Sequence, residues 1–392
     1  MPPRLIAFHL PQFHPIPEND RWWGTGFTEW TNVVKARPRF PGHYQPHLPA
    51  DLGFYDLRLS DTRLAQAELA RKYGIHGFCY YHYWFHGRRL LERPVEEIIR
   101  SGQPDFPFCL CWANESWSRA WTGEEREVLQ LQEYSAEDDR AHIRDLARAF
   151  GDSRYIRIEG RPLFLVYRAS RLPEPRRTTD VWRAECDRLG IGPVFLARVE
   201  SFVEESQRLP KEMGFDAAVE FMPDWGRSRT RLTDPRRISR WLSRLSLQQS
   251  GYNENLVHHY DALVEEALGR QTPAYELFRC ASPSWDNSAR RQSKATIFHE
   301  SSPKRYEHWL RALLTSALER PPGRRIVFVN AWNEWAEGNH LEPDQRYGRA
   351  YLEATRGALE SSRCVTGAED RVDGSTTRGS SSALDGSMVH AF

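Results

Sequence analysis

The sequence predicts an α/β protein of the (β/α)8 TIM-barrel type, a single catalytic domain with long βα loops. Eight short apolar runs alternate with longer amphipathic stretches along most of the chain, which is the pattern of βα units. The runs are almost continuously apolar, as strands of a parallel sheet buried on both faces are. No Gly-x-Gly-x-x-Gly follows the first run, so an open dinucleotide-binding sheet loses its main support. Length alone, at 392 residues, would favour two or three domains, but barrels of this kind run as long as a single unit.

Strands are expected at residues 5–10, 77–81, 107–112, 162–167, 193–197, 217–221, 275–280 and 325–330. Helical periodicity covers 61–73, where Leu64, Ala67, Leu69 and Ala70 share one side, and recurs at 136–150, 179–189 and 303–318. Gly74 is a C-terminal stop for the first of these helices. The Arg- and Ser-rich stretch 222–274 reads as an insertion with helices of its own, placed as a lid or specificity loop. The barrel domain is expected over 1–361. Residues 362–392, rich in Ser, Thr, Gly and charge, read as a disordered tail.

Lys and Arg total 54 against 53 Asp and Glu, and no basic stripe is interleaved with aromatics, so nucleic acid is excluded as a partner. Fourteen Trp exceed what core filling requires; about half are read as lining for a cleft. Cys79, Cys109, Cys111, Cys186, Cys280 and Cys364 read as reduced core thiols, because Cys109 and Cys111 have no second pair to build a zinc site. The chain opens on an apolar run without a basic leader. No stretch nears the roughly 18 apolar residues of a membrane span. A soluble cytoplasmic protein without an integral membrane segment is expected; nothing in the sequence sets its oligomeric state.

In such a barrel, functional groups gather beyond the C-terminal ends of the strands. Those positions hold His9, Gln12 and, further on, Glu29 and Trp30 after the first strand, then Tyr81, His82 and Trp84 after the second. The third ends in Trp112, Asn114 and Glu115, and the fourth in Tyr167 and Arg168. Trp285 and Asp286 follow the seventh, and Asn333, Glu334, Trp335 and Glu337 the eighth. Aromatic rings for C–H faces and polar groups for hydroxyls suit an oligo- or polysaccharide. Glu334 and Glu337 are three residues apart; on a helical turn their Cβ atoms stand about 5–6 Å apart, a spacing that suits paired carboxylates of a retaining glycosidase. The plainer reading, one glutamate orienting its neighbours and the other facing solvent, has even weight on spacing alone.

Glu337 and His340 match the Glu-x-x-His of di-iron bundles, and His82 and His86 are four apart. The di-iron motif needs long inward-facing helices, which Gly338 and the βα pattern oppose, so no metal and no cofactor are expected. No Gly-x-Ser-x-Gly elbow supports an acyl-transfer triad. The sequence also lacks an Asp-x-Asp, which many nucleotide-sugar transferases use to hold a metal against the diphosphate.

Several longer motifs carry a resemblance. Phe8-His9-Leu10-Pro11-Gln12-Phe13-His14-Pro15, Gly26-Phe27-Thr28-Glu29-Trp30, Gly77-Phe78-Cys79-Tyr80-Tyr81-His82-Tyr83-Trp84 and Cys111-Trp112-Ala113-Asn114-Glu115 resemble the WbsX-like family of bacterial lipopolysaccharide and surface-polysaccharide clusters. Asn330-Ala331-Trp332-Asn333-Glu334-Trp335-Ala336-Glu337-Gly338 resembles the Asn-Glu-Trp-x-Glu-Gly of glycoside hydrolase family 99 endomannosidases. The resemblance implies a barrel and a retaining mechanism in which Glu334 assists the substrate's own 2-hydroxyl and Glu337 protonates the leaving oxygen. It also implies sugar subsites at Tyr81, Trp84, Trp112 and Asn333. A glycoside hydrolase-like enzyme acting on O-antigen-type polysaccharide is the expectation; a glycosyltransferase is the first alternative and a silent saccharide-binding protein the second.

Overall fold

In the computed structural model, residues 2–119, 124–225, 231–232, 251–291 and 293–373 are described. Eight parallel strands close into a barrel: β1 (Arg4–His9), β2 (Gly77–Phe85), β3 (Phe108–Trp112), β4 (Arg161–Val166), β5 (Phe195–Glu200), β6 (Ala217–Glu220), β7 (Leu277–Ala281) and β8 (Ile326–Val329). Closure comes from β1, which pairs β8 through Ala7↔Val329 and β2 through Ile6↔Gly77. The TIM-barrel expectation and all eight strand positions hold, with ends shifted by a few residues.

Two of those shifts have clear causes. β2 runs on to Phe85 because its aromatic, β-favouring tail folds back as a hairpin onto Arg88–Leu90. His86 and Gly87 turn that hairpin at φ 46° and 82°, the two left-handed residues of a tight hairpin turn. β5 continues past its apolar stretch through Arg198 and Glu200, which are buried yet paired with each other at 2.9 Å. Arg270 bridges Glu200 and Glu220 at 3.1 and 2.9 Å. Buried charge is tolerated there because each member is paired.

Phe8 fills the barrel axis, with ring centroids 5.8 Å from Tyr81, 5.8 Å from Phe221 and 5.5 Å from Phe328. Side chains from different strands thus close the interior in a packed layer. Helices Ser60–Lys72, Ala136–Phe150, Pro175–Arg188 and Pro303–Leu318 occupy the expected βα positions. The last helix, Ala350–Asp373, continues past residue 361, so the expected tail begins helical; 374–392 lie outside the described residues. No helix among the described residues is long and apolar enough to cross a membrane. Cys79, Cys109, Cys111, Cys186 and Cys280 are buried free thiols; nothing is described of the Cys364 side chain.

Of the insertion, residues 226–230 and 233–250 lie outside the described residues. Its later part forms helix Tyr260–Leu268 and strand Leu256–His259, which pairs with Thr296–His299 from the β7 loop. That strand pairs in turn with Trp285–Asp286. Phe40, Tyr252, Val257, Ala295 and Ile297 give this annex its own small core at the barrel mouth.

Gly77, at the start of β2, faces the Pro107 carbonyl so closely that an added Cβ would stand 2.5 Å from it and 2.9 Å from Ile156 Cδ1. Backbone cannot yield as a side-chain end can. Gly77→Ala is expected to cost about 1–3 kcal/mol, the usual range for overpacking, read as a lowered urea midpoint with unchanged m-value.

Candidate active site

The segment after β8 folds as a small hairpin. Asn333–Glu334 pairs antiparallel with Asn339–His340, and Trp335–Glu337 forms a 3-10 turn between them. Residues three apart eclipse in a 3-10 turn, which brings Glu334 and Glu337 to one side. Gly338 ends the turn at φ 53° and is packed against Asp286; a Cβ there would meet Asp286 backbone at 3.1–3.2 Å. Asn333 locks the hairpin to β1: its Oδ1 accepts from Leu10 N at 2.7 Å and its Nδ2 donates to Leu10 O at 3.0 Å. Trp335 Nε1 donates to Glu342 Oε2 at 2.7 Å.

At the centre lies a group that the sequence reading did not single out. Arg290, at the end of the 3-10 turn Asn287–Ala289 with its side chain 11% exposed, reaches three carboxylates. Its Nε donates to Glu29 Oε1 at 2.7 Å, its Nη2 to Glu334 Oε2 at 2.9 Å and its Nη1 to Glu337 Oε1 at 2.5 Å. Gln12 Nε2 donates to the other oxygen of Glu29 at 2.9 Å. One cation cannot balance three buried anions, so the cluster favours retaining a proton. Burial is the main force on both catalytic candidates, pushing Glu334 up to about 8 and raising Glu337, while Arg290 pulls both down. Two carboxyls on one guanidinium titrate as a pair. Arg290 carried a weak signal: a basic residue just after Trp285-Asp286-Asn287, at a strand's C-terminal end.

A cleft of about 940 Å³ opens above this cluster. Of the expected site residues, Gln12, Tyr81, Glu115, Tyr167, Trp285, Glu334 and Glu337 line it. Trp23, Tyr83, Trp117, Phe202, Phe221 and Trp225 add the aromatic walls. Arg168 stands at one side, donating to Glu115 at 2.7 Å and Glu205 at 2.9 Å.

The remaining expected residues lie elsewhere, their polar atoms engaged by protein. His9 is buried against Gln66 (Nε2 to Oε1, 3.2 Å), and burial lowers its pKa to about 3. Trp30 Nε1 donates to Tyr55 O at 2.9 Å. His82 faces His142, Nε2 to Nε2 at 2.9 Å, while Trp84 donates to Asp138 at 3.0 Å and stacks on His142. Trp112 Nε1 donates to Trp84 O at 3.1 Å. Asn114 brackets the Arg168 backbone at 2.8 and 2.9 Å. Asp286 accepts from His43 at 2.6 Å and Gln45 at 2.7 Å. With Asn333 and Trp335, these side chains hold the walls rather than face the cleft. The geometry therefore places Trp84, Trp112 and Asn333 behind the surface where the resemblance implies sugar subsites. His86, half-exposed near Asp138, does not converge with His82, and Glu337 turns to Arg290 rather than to His340.

A cluster of acids on one guanidinium beneath an aromatic cleft thus sits at the C-terminal mouth of a (β/α)8 barrel. The chain belongs to the family described as Glycosyltransferase WbsX, which matches residues 5–355. It is 46% identical over 360 residues to uncharacterized protein WxcX of Xanthomonas campestris pv. campestris strain B100, covering 92% of this chain and 50% of the relative. The WxcX of strain ATCC 33913 matches to the same extent. The chain thus spans about half the length of these curated relatives. Among solved structures, a glycoside hydrolase-like protein aligns at TM-score 0.54 and 14% identity, over 91% of this chain and 94% of its own. A GH99 endo-alpha-mannosidase from Bacteroides thetaiotaomicron aligns at TM-score 0.54 and 14% identity, over 93% and 98%. At such identity these two share the fold.

Arg290→Met would leave three buried carboxylates without their cation. Breaking a buried ion cluster in this way costs about 3–5 kcal/mol. Losing Arg290 raises Glu334 and Glu337 further, and protonation at low pH then relieves the repulsion. The Tm deficit of the variant is expected to be larger at pH 8 than at pH 5; equal deficits would mean that the cluster is not ionised in the native protein.

Proposed function

We propose that the protein is a glycoside hydrolase-like enzyme cleaving glycosidic bonds of bacterial surface polysaccharide of the O-antigen type, with retention and with help from the substrate's 2-hydroxyl. The observation that carries this reading is the pair Glu334 and Glu337 on one buried guanidinium at the floor of an aromatic cleft. In the first step Glu334 takes the proton of the 2-hydroxyl, whose oxygen attacks the anomeric carbon. Glu337 gives its proton to the departing glycosidic oxygen, leaving a 1,2-anhydro sugar. Water then opens that ring at the anomeric carbon, giving a proton to Glu337, and Glu334 returns its proton to the 2-oxygen. Substrate-assisted routes of this sort are known departures from the two-carboxylate scheme. Arg290 would keep both carboxyls in register while their shared proton moves.

The electrostatics add a constraint. Without substrate, burial raises both Glu334 and Glu337, so the pair retains a proton. Paired variants test the assignment. Glu337→Gln should lose about 10²–10⁴-fold in turnover on polysaccharide, the usual worth of a general acid, read as new reducing ends by mass spectrometry. Its first step should recover on an aryl glycoside whose leaving group needs no proton, read as a burst of released phenol. Recovery by Glu334→Gln instead would reverse the two roles.

The rate should also follow a bell in pH. Both limbs lie above the ordinary glutamate range because burial raises both groups, and the alkaline limb marks loss of the proton that the pair retains. A flat profile from pH 5 to 9 would exclude the pair as acid and base.

The family description favours a second reading, a glycosyltransferase. Sugar incorporation that requires a nucleoside diphosphate sugar, with no new reducing ends in its absence, would establish it.

A further inference from the structure

Behind the catalytic turn lies a second constellation, made of His47, His340 and Asp344. All three are buried, and one donor atom from each lies within 4.8 Å of the other two. His340 belongs to the strand paired with Asn333–Glu334, and its ring stacks on Trp335 with centroids 3.8 Å apart. His47 comes from the long loop after β1. We propose that these residues form a binding site for a divalent transition-metal ion of the zinc type, which ties that loop to the hairpin carrying Glu334 and Glu337.

The donor set, two imidazole nitrogens and one carboxylate oxygen, is that of a zinc-type ion. His47 Nδ1 stands 3.0 Å from His340 Nε2, which stands 3.9 Å from Asp344 Oδ2. Donors around a tetrahedral ion with bonds of about 2.0–2.2 Å are separated by about 3.3–3.6 Å, so small side-chain movements suffice.

The surroundings orient the donors. His340 Nδ1 lies 2.9 Å from Glu342 O. That nitrogen must carry the ring proton, which leaves the Nε2 lone pair directed into the group, the usual outer-shell arrangement of a metal-bound histidine. Asp344 Oδ1 is fixed by backbone N–H groups of Arg346 and Tyr347 at 3.1 and 2.6 Å. Its Oδ2 is left to face His340 and the Tyr44 hydroxyl, 3.3 Å away.

An ion would take the place of the proton between the two rings. His47 changes tautomer, its ring proton passing from Nδ1 to Nε2, and no oxidant or other reactant is needed. A cavity of about 220 Å³ reaches His47, Tyr44 and Tyr347, giving an entry path and room for a water at the fourth position. The Arg346 guanidinium, over the Tyr44 ring at 4.7 Å, lowers the affinity for a cation without changing the donors. His43, on the same cavity, is no ligand: its Nδ1 accepts from Arg39 N at 2.9 Å and its Nε2 meets Asp286 at 2.6 Å.

The test uses untagged full-length protein, stripped with EDTA, equilibrated with Zn²⁺ and passed through gel filtration before metal analysis. About one zinc per chain is expected, with a raised Tm. Asp344→Asn and His340→Gln should each fall to background, whereas His86→Ala, on the exposed hairpin turn, should keep its zinc. X-ray absorption on the loaded wild type should find two imidazole ligands, which decides the matter even if the variants fold poorly. Wild-type protein without stoichiometric zinc, a spectrum without histidine, or equal loss in His86→Ala would overturn the proposal.

Discussion

The arrangement of the site depends on one guanidinium. Arg290 arrives from the loop after β7, Glu29 from the helix Glu29–Lys35 after β1, and Glu334 and Glu337 from the hairpin after β8. Without a cation among them, three buried carboxylates would repel one another and draw in water or protons. With it, three separate loops share a single electrostatic minimum. The fixed planar fork of arginine suits this in a way that a lysine point charge does not.

Around that centre the protein uses neutral amides as clamps. Asn333 ties the β8 hairpin to the backbone of β1, and Asn114 ties the end of β3 to the backbone at Arg168. Each holds a main-chain N–H and C=O and also donates to a tyrosine hydroxyl, Tyr55 for Asn333 and Tyr134 for Asn114, so each fixes geometry and leaves recognition to others. Glu342 plays a related part deeper down, accepting from Tyr55, Gln66 and Trp335 at once. The wall of the cleft is therefore rigid where the carboxylates stand.

The barrel was legible because strand burial forces long apolar runs, and those runs are visible in sequence. The nearness of Glu334 and Glu337 was legible from their spacing, which left open whether both turn to the site. What sequence could not give was direction. Trp84, Trp112, His82 and Asn114 sit at the right ends of the right strands, yet point into the layer between barrel and helices, because successive strand residues face opposite ways. Tyr81 and Tyr83, two apart, share the face toward the cleft, whereas His82 between them does not. Arg290 escaped notice for another reason: its role arises from contacts more than 40 positions away on one side and 260 on the other, which no local pattern encodes.

The small sheet at the barrel mouth joins the insertion strand Leu256–His259 to Thr296–His299, which with Trp285–Asp286 flanks the turn that delivers Arg290. The insertion is thus bonded to the segment that sets the charge balance of the site. Chimeras that exchange the 222–274 region alone would break this ladder. A functional exchange of specificity must carry the insertion and the β7 loop together, as one inheritable module.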